Sequence, residues 1–438
     1  MQRWRRALAG RHFGWKGMSM AKQGSSFKWV VLFLMVFGTA MLNFSNLVFS
    51  ARSVDVMVQF NMDQAQLTAI SGIGVLPGAL FSIFLGNFFD KKGPKSIRYI
   101  GAVLLFLAAA CQIWRVFASS YIELFIITFL AGTFFLPTQV LPAKMLGAWF
   151  DRSEMGTAMG VFGAAAGIGI TAAFAVAGLF STTTAALAFC AGGYVLVAVL
   201  WLFTAIMPDQ AQAPQEGDSR GGTSAVGEGA PQVSVGAVLK SKNMWLVMIC
   251  GGLAAGAPLL YNSYVMNVFI GKGMDPALTS LIGVVFNICL VIGAIVTGFI
   301  VSKAGRYNRV YTVFPIVSGV ALLAQYLLPV GPQTFVLAAI AALFGACTVS
   351  VNMARISLVP LTGDFGPENI GIAGGMNNTA MGLCMFVLPT IAAVALGDNY
   401  LGVFITLLVF FAVMALCGGI LLPELGEKGE LACRARGE

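Results

Sequence analysis

The chain has 438 residues, of which 58% are hydrophobic and 10% charged, with a formal net charge of +8 and a mean hydropathy of +0.85. Soluble domains carry about 25% charged residues, so an ordinary soluble protein is excluded, and apolar runs of about 20 residues between short polar turns read as bilayer-spanning helices. The basic excess lies in the N-terminal tail and in short turns, as the positive-inside rule expects, so no nucleic-acid partner is expected.

Residues 1–28 hold seven basic residues and no acidic one. They lack the short apolar core of a signal peptide and read as a basic cytoplasmic tail, with Met18 and Met20 as alternative starts. Twelve spans follow, at 29–50, 66–89, 96–117, 121–147, 155–179, 184–206, 244–269, 277–301, 310–329, 334–361, 369–395 and 400–422. Residues 207–243, rich in Gly, Pro, Gln and Ser, read as a flexible cytoplasmic linker. They separate an N-terminal six-helix half (29–206) from a C-terminal one (244–422), and 423–438 reads as a second cytoplasmic tail. One side of the membrane collects Lys91, Lys92, Lys95, Arg98, Arg152, Lys240, Lys242, Lys303, Arg306 and Arg309. The other has little beyond Arg52, Arg115 and Lys272. Both termini are therefore expected in the cytoplasm, in a plasma membrane.

The halves repeat. Gly86-Asn-Phe-Phe-Asp90-Lys91-Lys92-Gly93 and Gly298-Phe-Ile-Val-Ser302-Lys303-Ala-Gly305 share one order: Gly, three residues, Asp or Ser, Lys, one residue, Gly. Gly156-Thr-Ala158-Met-Gly160, then Ala165 and Gly167, aligns with Gly371-Ile-Ala373-Gly-Gly375, then Ala380 and Gly382. Small residues at this density let helices approach closely. Two matched regions in the same order make duplication the better explanation than chance.

The basic turn from Gly86 to Lys95 resembles the loop between the second and third helices of major facilitator superfamily transporters. The second turn resembles its weaker echo. The resemblance covers about 27–423. It implies an all-α membrane protein of twelve transmembrane helices in two pseudo-symmetric six-helix halves, related by an axis along the membrane normal. It also implies secondary transport by alternating access, with no cofactor. In the family this loop latches the halves, so Gly86, Asp90, Lys91, Gly93 and Lys95, echoed by Gly298, Lys303, Gly305 and Arg306, are the candidate gating residues.

The resemblance has gaps. Thr128 precedes Phe129-Leu130-Ala131-Gly132 where the family often has an Arg linked to proton coupling. Met155 stands where many members have an Arg, and the fifth span lacks the Gly-Pro step of drug antiporters. Asp90 to Lys95 and the Trp149-Phe150 turn look like the anion-transporting branches: oxalate/formate-type, monocarboxylate-type and nitrate/nitrite porters. The second and eighth spans lack the Arg of nitrate porters, which disfavours nitrate. The first span lacks the acidic-Gly pair of monocarboxylate porters.

An ionisable group at mid-membrane costs at least about 2.5–3.5 kcal/mol on insertion scales. Arg355 lies nine residues before Asp364, or about 13 Å along a helix at 1.5 Å per residue. It has no deep carboxylate partner, so an anionic substrate would neutralise it. Lys144 is shallower and can snorkel. Arg115 and Glu123 read as an outer-surface pair, and Arg52 with Asp55 as the outer end of the first span. The resemblance implies a cavity lined by the first, fourth, seventh and tenth spans. These carry Asn43 and Asn46, Thr138 and Gln139, Tyr261, Asn262, Tyr264 and Asn267, and Asn352 with Arg355. Asn352 and Arg355 share a helix face, as do Tyr261 and Tyr264. The substrate-binding set is therefore Arg355, Asn352, Tyr261, Asn262, Tyr264, Asn46, Gln139 and Lys144, whereas Asn377, Asn378 and Thr379 read as interhelical contacts.

The eight cysteines form no CxxC pair and the one histidine is His12, so no metal site or disulfide framework is expected. No phosphate-binding GxxxxGK[ST] loop marks a primary pump, and no catalytic cluster marks an enzyme. The reading is a monomeric carrier of a small organic anion, by exchange or proton-linked cotransport. A carrier of neutral amino acids or sugars and a non-transporting nutrient sensor are the alternatives.

Overall fold

The computed structural model describes residues 14–92, 94–150, 152–206, 240–304, 307–358 and 370–422, and among these no strand occurs. The helices are α1 (Gly14–Ala51), α2 (Ser53–Phe60), α3 (Gln64–Ile73), α4 (Leu76–Lys92), α5 (Pro94–Val116), α6 (Tyr121–Phe134), α7 (Pro137–Val140), α8 (Pro142–Trp149), α9 (Arg152–Ala177) and α10 (Thr183–Thr204). They continue with α11 (Lys242–Gly271), α12 (Pro276–Ala304), α13 (Tyr307–Leu327), α14 (Pro332–Leu358), α15 (Ile370–Leu396) and α16 (Tyr400–Met414). A π-helical turn, Ala415–Leu421, extends α16.

Nine helices among the described residues are long and apolar enough to cross a membrane. Three shorter apolar stretches, Tyr121–Phe134, Ala164–Ala177 and Pro332–Gly345, coincide with the fourth, fifth and tenth expected spans. Together they give the twelve-helix count. Large apolar side chains such as Phe84, Val103, Phe203 and Val394 stay exposed. On a soluble protein such surface would be an anomaly; on a bilayer-spanning one it faces lipid.

Two expected spans are not single helices. The second breaks at Gly74-Val75, between α3 and α4, where Val75 N donates to Gly72 O at 3.1 Å in a tightened turn. Pro77 lies just beyond this break and has no N–H to donate. The fourth span is cut into α6, α7 and α8 because Pro137 and Pro142 each occupy the first position of a new helix.

Close backbone contact holds the bundle together. A Cβ on Gly132 of α6 would collide with the carbonyl oxygen of Gly74, and one on Gly169 of α9 with that of Ala40. Trp201 of α10 is wholly buried and its Nε1 donates to Ile97 O at 3.0 Å, tying α10 to α5. The principal packings are α1 with α9 and α5 with α10 in the first half. In the second half they are α11 with α15, α12 with α14, and α13 with α14 and α16. Across the halves, α9 packs on α12, and α3 and α4 pack on α15. Glycines of the repeated small-residue stretch sit at these two seams, Gly167 against Val291 and Gly382 against Ala79.

Candidate functional site between the halves

The end of the bundle opposite the basic turns is closed by neutral hydrogen bonds between the first and second six spans. Ser53 Oγ donates to Asn267 Oδ1 at 2.7 Å. Asn267 Nδ2 donates to Gln64 Oε1 and also points at Met57 Sδ, 3.5 Å away. Gln64 Nε2 donates to Ser263 O at 2.9 Å. Ser53 and Gln64 are buried, so these bonds are shielded from water. A second seam is fastened by Ser280 Oγ, which donates to Phe174 O. Local structure sets this up. Asp63 and Gln66 form a capping box that starts α3, which positions Gln64 in the first turn. Asn267 stands one turn before the end of α11.

Polar groups of α1 and α7 converge where the second and fourth spans break. Asn46 Oδ1 occupies the space beside Gly74 and Gln139 Oε1 that beside Gly78. Asn46 Nδ2 and Gln139 Nε2 are buried and, among the described residues, have no partner. Nearby, Thr39 Oγ1 donates to Thr138 O at 3.3 Å and Asn43 Nδ2 to Thr39 O at 2.9 Å. Asn46 and Gln139 therefore come together against the second span.

The polar side chains expected on the seventh span point elsewhere. Tyr261 OH donates to Gln325 Oε1 at 3.0 Å and its ring lies 4.2 Å from that of Phe286. Tyr264 OH donates to Gly397 O at 3.1 Å. Asn262 and Asn287 exchange two hydrogen bonds, at 3.2 and 3.0 Å. All three are bonded within the second half. Lys144 is exposed on α8. Arg355 and Asn352 lie in the last two turns of α14, but their side chains fall outside the described residues. So do the side chains of Asp90, Lys91 and Lys303, with Gly93, Gly298, Gly305 and Arg306. Of the remaining gating residues, Gly86 faces Val140 and Lys95 is exposed.

One expectation is corrected. Arg115 and Glu123 do not form a surface pair. Glu123 is at the surface, where it accepts from Trp114 Nε1 at 2.9 Å and Ser119 N at 3.0 Å. Arg115 turns the other way and is wholly buried. The helical rotation between residues 114 and 115 separates them: Trp114 faces out with Glu123, and Arg115 faces in. The pairing of Arg52 with Asp55 holds, and Arg52 Nη1 also donates to Ala177 O at 2.9 Å and Phe180 O at 2.6 Å.

Sequence reasoning missed Ser53, Gln64, Ser263 and Ser280. Short polar residues near helix ends read as caps, and nothing in a single sequence indicates that they meet across a duplication. Among the described residues no group of three His, Cys, Asp or Glu could hold a metal ion.

Residues 29–389 match the family model described as Major Facilitator Superfamily. The chain belongs to that superfamily. It is accordingly a multi-pass membrane transporter rather than an enzyme. Solved superfamily structures show the same fold. A bacterial homolog of the human lysosomal transporter Spinster, in an inward-facing and unoccupied conformation, aligns with a TM-score of 0.69 at 13% identity, covering 94% of this chain and 98% of that one. A point mutant of the nucleoside transporter NupG gives a TM-score of 0.67 at 15% identity over 89% and 98% of the two chains. A D-xylose-proton symporter gives 0.66 at 12% identity over 91% and 99%. A probable nitrate/nitrite antiporter, NarK1 of Thermus thermophilus, is 30% identical over 134 residues, 31% of this chain and 29% of that protein. The chain thus matches under a third of the length of this curated relative.

Proposed function

We propose that the chain is a secondary carrier of a small organic anion, working by alternating access in the plasma membrane with both termini cytoplasmic. The observation that carries this reading is the closure of one end by a few neutral inter-half hydrogen bonds. Each such bond is worth about 0.5–1.5 kcal/mol net, little enough to be made and broken in every transport cycle. On the positive-inside rule the closed end faces away from the cytoplasm.

The anion reading rests on Arg355, with Asn352 one turn away on the same face of α14. The unpaired amide N–H groups of Asn46 and Gln139 in the first half support it, because orphaned donors suit an acceptor-rich ligand such as a carboxylate. Tyr261, Asn262 and Tyr264, bonded inside the second half, brace this region without donating to the ligand in this conformation. Lys144 draws the ligand electrostatically from its exposed position. The basic turns at Asp90 and Lys303 act as the cytoplasmic gate.

The test is a thermal-shift screen of the purified protein against organic acids, amino acids and sugars. An organic acid is expected to raise the melting temperature, and Arg355→Gln to abolish that rise. A neutral solute that stabilises both proteins equally would overturn the anion assignment. A second reading, exchange of an inorganic oxoanion, is favoured by the antiporter relative and opposed by the lack of Arg in the second and eighth spans. Nitrate and nitrite belong in the same screen.

A further inference from the structure

A charged cluster lies inside the first half, apart from the seams between the halves. Arg115 stands in the last turn of α5 and is wholly buried. Its Nη2 donates to Ser45 O at 3.0 Å, and Phe49 covers one face of the guanidinium, 4.5 Å from ring centre to Cζ. Among the described residues its Nε and Nη1 have no partner. One turn earlier, Gln112 Nε2 donates to Ser45 Oγ at 3.1 Å and the Tyr194 hydroxyl lies beside both side chains, while among the described residues Gln112 Oε1 has no partner. The ionisable side chains facing the guanidinium are Cys190 and Tyr194 of α10, both buried. Among the described residues no carboxylate faces it.

The second half offers a comparison in the pair of Tyr261 of α11 with Gln325 of α13. There Gln325 Oε1 accepts from Tyr261 OH at 3.0 Å and Gln325 Nε2 donates to Thr334 O at 2.8 Å. That pair is neutral and both ends of the amide are bonded. Around Gln112 there is a cation instead, and among the described residues three polar atoms, Arg115 Nε and Nη1 and Gln112 Oε1, are unpaired. Arginine stays protonated in proteins, and a buried charge is costly unless compensated. Water can satisfy an N–H group but cannot neutralise the charge.

We propose that a monovalent inorganic anion of halide size binds at the edge of the Arg115 guanidinium, between α1, α5 and α10. Arg115 supplies the charge and an N–H donor. A water held by the anion reaches Gln112 Oε1. The anion is the counter-charge that lets the first half hold a buried arginine, and the site is distinct from the substrate path between the halves.

The full-length protein, purified in sodium gluconate, is titrated with sodium bromide at constant ionic strength while its melting is followed. Crystals soaked in bromide are measured for anomalous scattering. The expected results are a saturable rise in melting temperature, lost in Arg115→Gln, and a bromide peak beside the guanidinium. No saturable rise and no peak would overturn the proposal, leaving the guanidinium bonded to water and carbonyl oxygens alone. A rise that persists in Arg115→Gln overturns it too, and a peak without a saturable rise marks an adventitious ion only. If Arg115→Gln does not fold, the titration and the map of the unaltered protein decide. None of these readouts depends on an organic acid, so they stand or fall separately from the substrate assignment.

Discussion

Tyr261 and Arg115 show what a side chain's direction does inside an apolar bundle. Tyr261 gives its hydroxyl to Gln325, which in turn donates to Thr334 O. Tyr261→Phe keeps the ring against Phe286 and Phe404 but strands a buried carbonyl oxygen. The expected cost is about 1–3 kcal/mol, seen as a lower melting temperature with uptake retained at saturating substrate. An unchanged melting temperature would mean that Gln325 finds another donor. Periodicity showed that Tyr261 and Tyr264 share a face, and they do. It could not show that the face looks into the second half, because the partner Gln325 lies on another helix, 64 positions away. Arg115 failed for a related reason. Its closeness to the Ser119-Ser120 turn suggested the surface, but a rotation of one residue along α5 decides between lipid, water and core. Arg52 and Asp55, three apart on one helical turn, were legible because both partners are local.

At the level of elements, α2, α3 and α11 form the closure. Asn267→Ala removes the bonds to Ser53 and Gln64 together. It is expected to shift the population toward a form open at that end, raising the reactivity of a cysteine placed at Ser263 or Ser53 with a membrane-impermeant thiol reagent several-fold. Two lost bonds at about 1 kcal/mol each amount to roughly tenfold or more in a conformational equilibrium. Unchanged labelling would show that apolar packing of α3 on α15 closes this end without them. At the basic end, Asp90→Asn is expected to slow turnover with little change in substrate affinity, since Asp90 lies in the last turn of α4, at the basic turn. Normal turnover with a much weaker dissociation constant would contradict its gating role. The prolines at 137 and 142 were visible signals for the broken fourth span, and Gly74 with Pro77 for the second. Their apolar surroundings concealed them, since hydropathy does not distinguish a broken helix from a whole one.

For the whole molecule, twelve spans and a duplication were readable because lipid imposes length and apolarity on every crossing segment. The seams were not, since small and neutral side chains make them and many other Gly and Ser residues look the same. Every Asp and Glu whose side chain is described sits in a turn or at a helix end: Asp55, Asp63, Glu123, Asp275 and Asp398. Transport is therefore expected to run without a proton relay through a buried carboxylate. Neutralising Asp55, Glu123, Asp364 and Glu368 one at a time should leave pH-driven uptake within a few-fold of the unaltered protein. Loss of pH-driven uptake with exchange intact in any one of them would identify such a relay.

Counterflow in liposomes is the most direct measurement of an anion carrier that alternates between two closures. Purified protein is reconstituted into vesicles preloaded with the organic acid that most stabilises it, and entry of the labelled acid is followed with no ion gradient. Transient accumulation of label, absent in Arg355→Gln although that variant inserts and folds, is the predicted result. Equal accumulation by Arg355→Gln, or accumulation of uncharged solutes only, would contradict it.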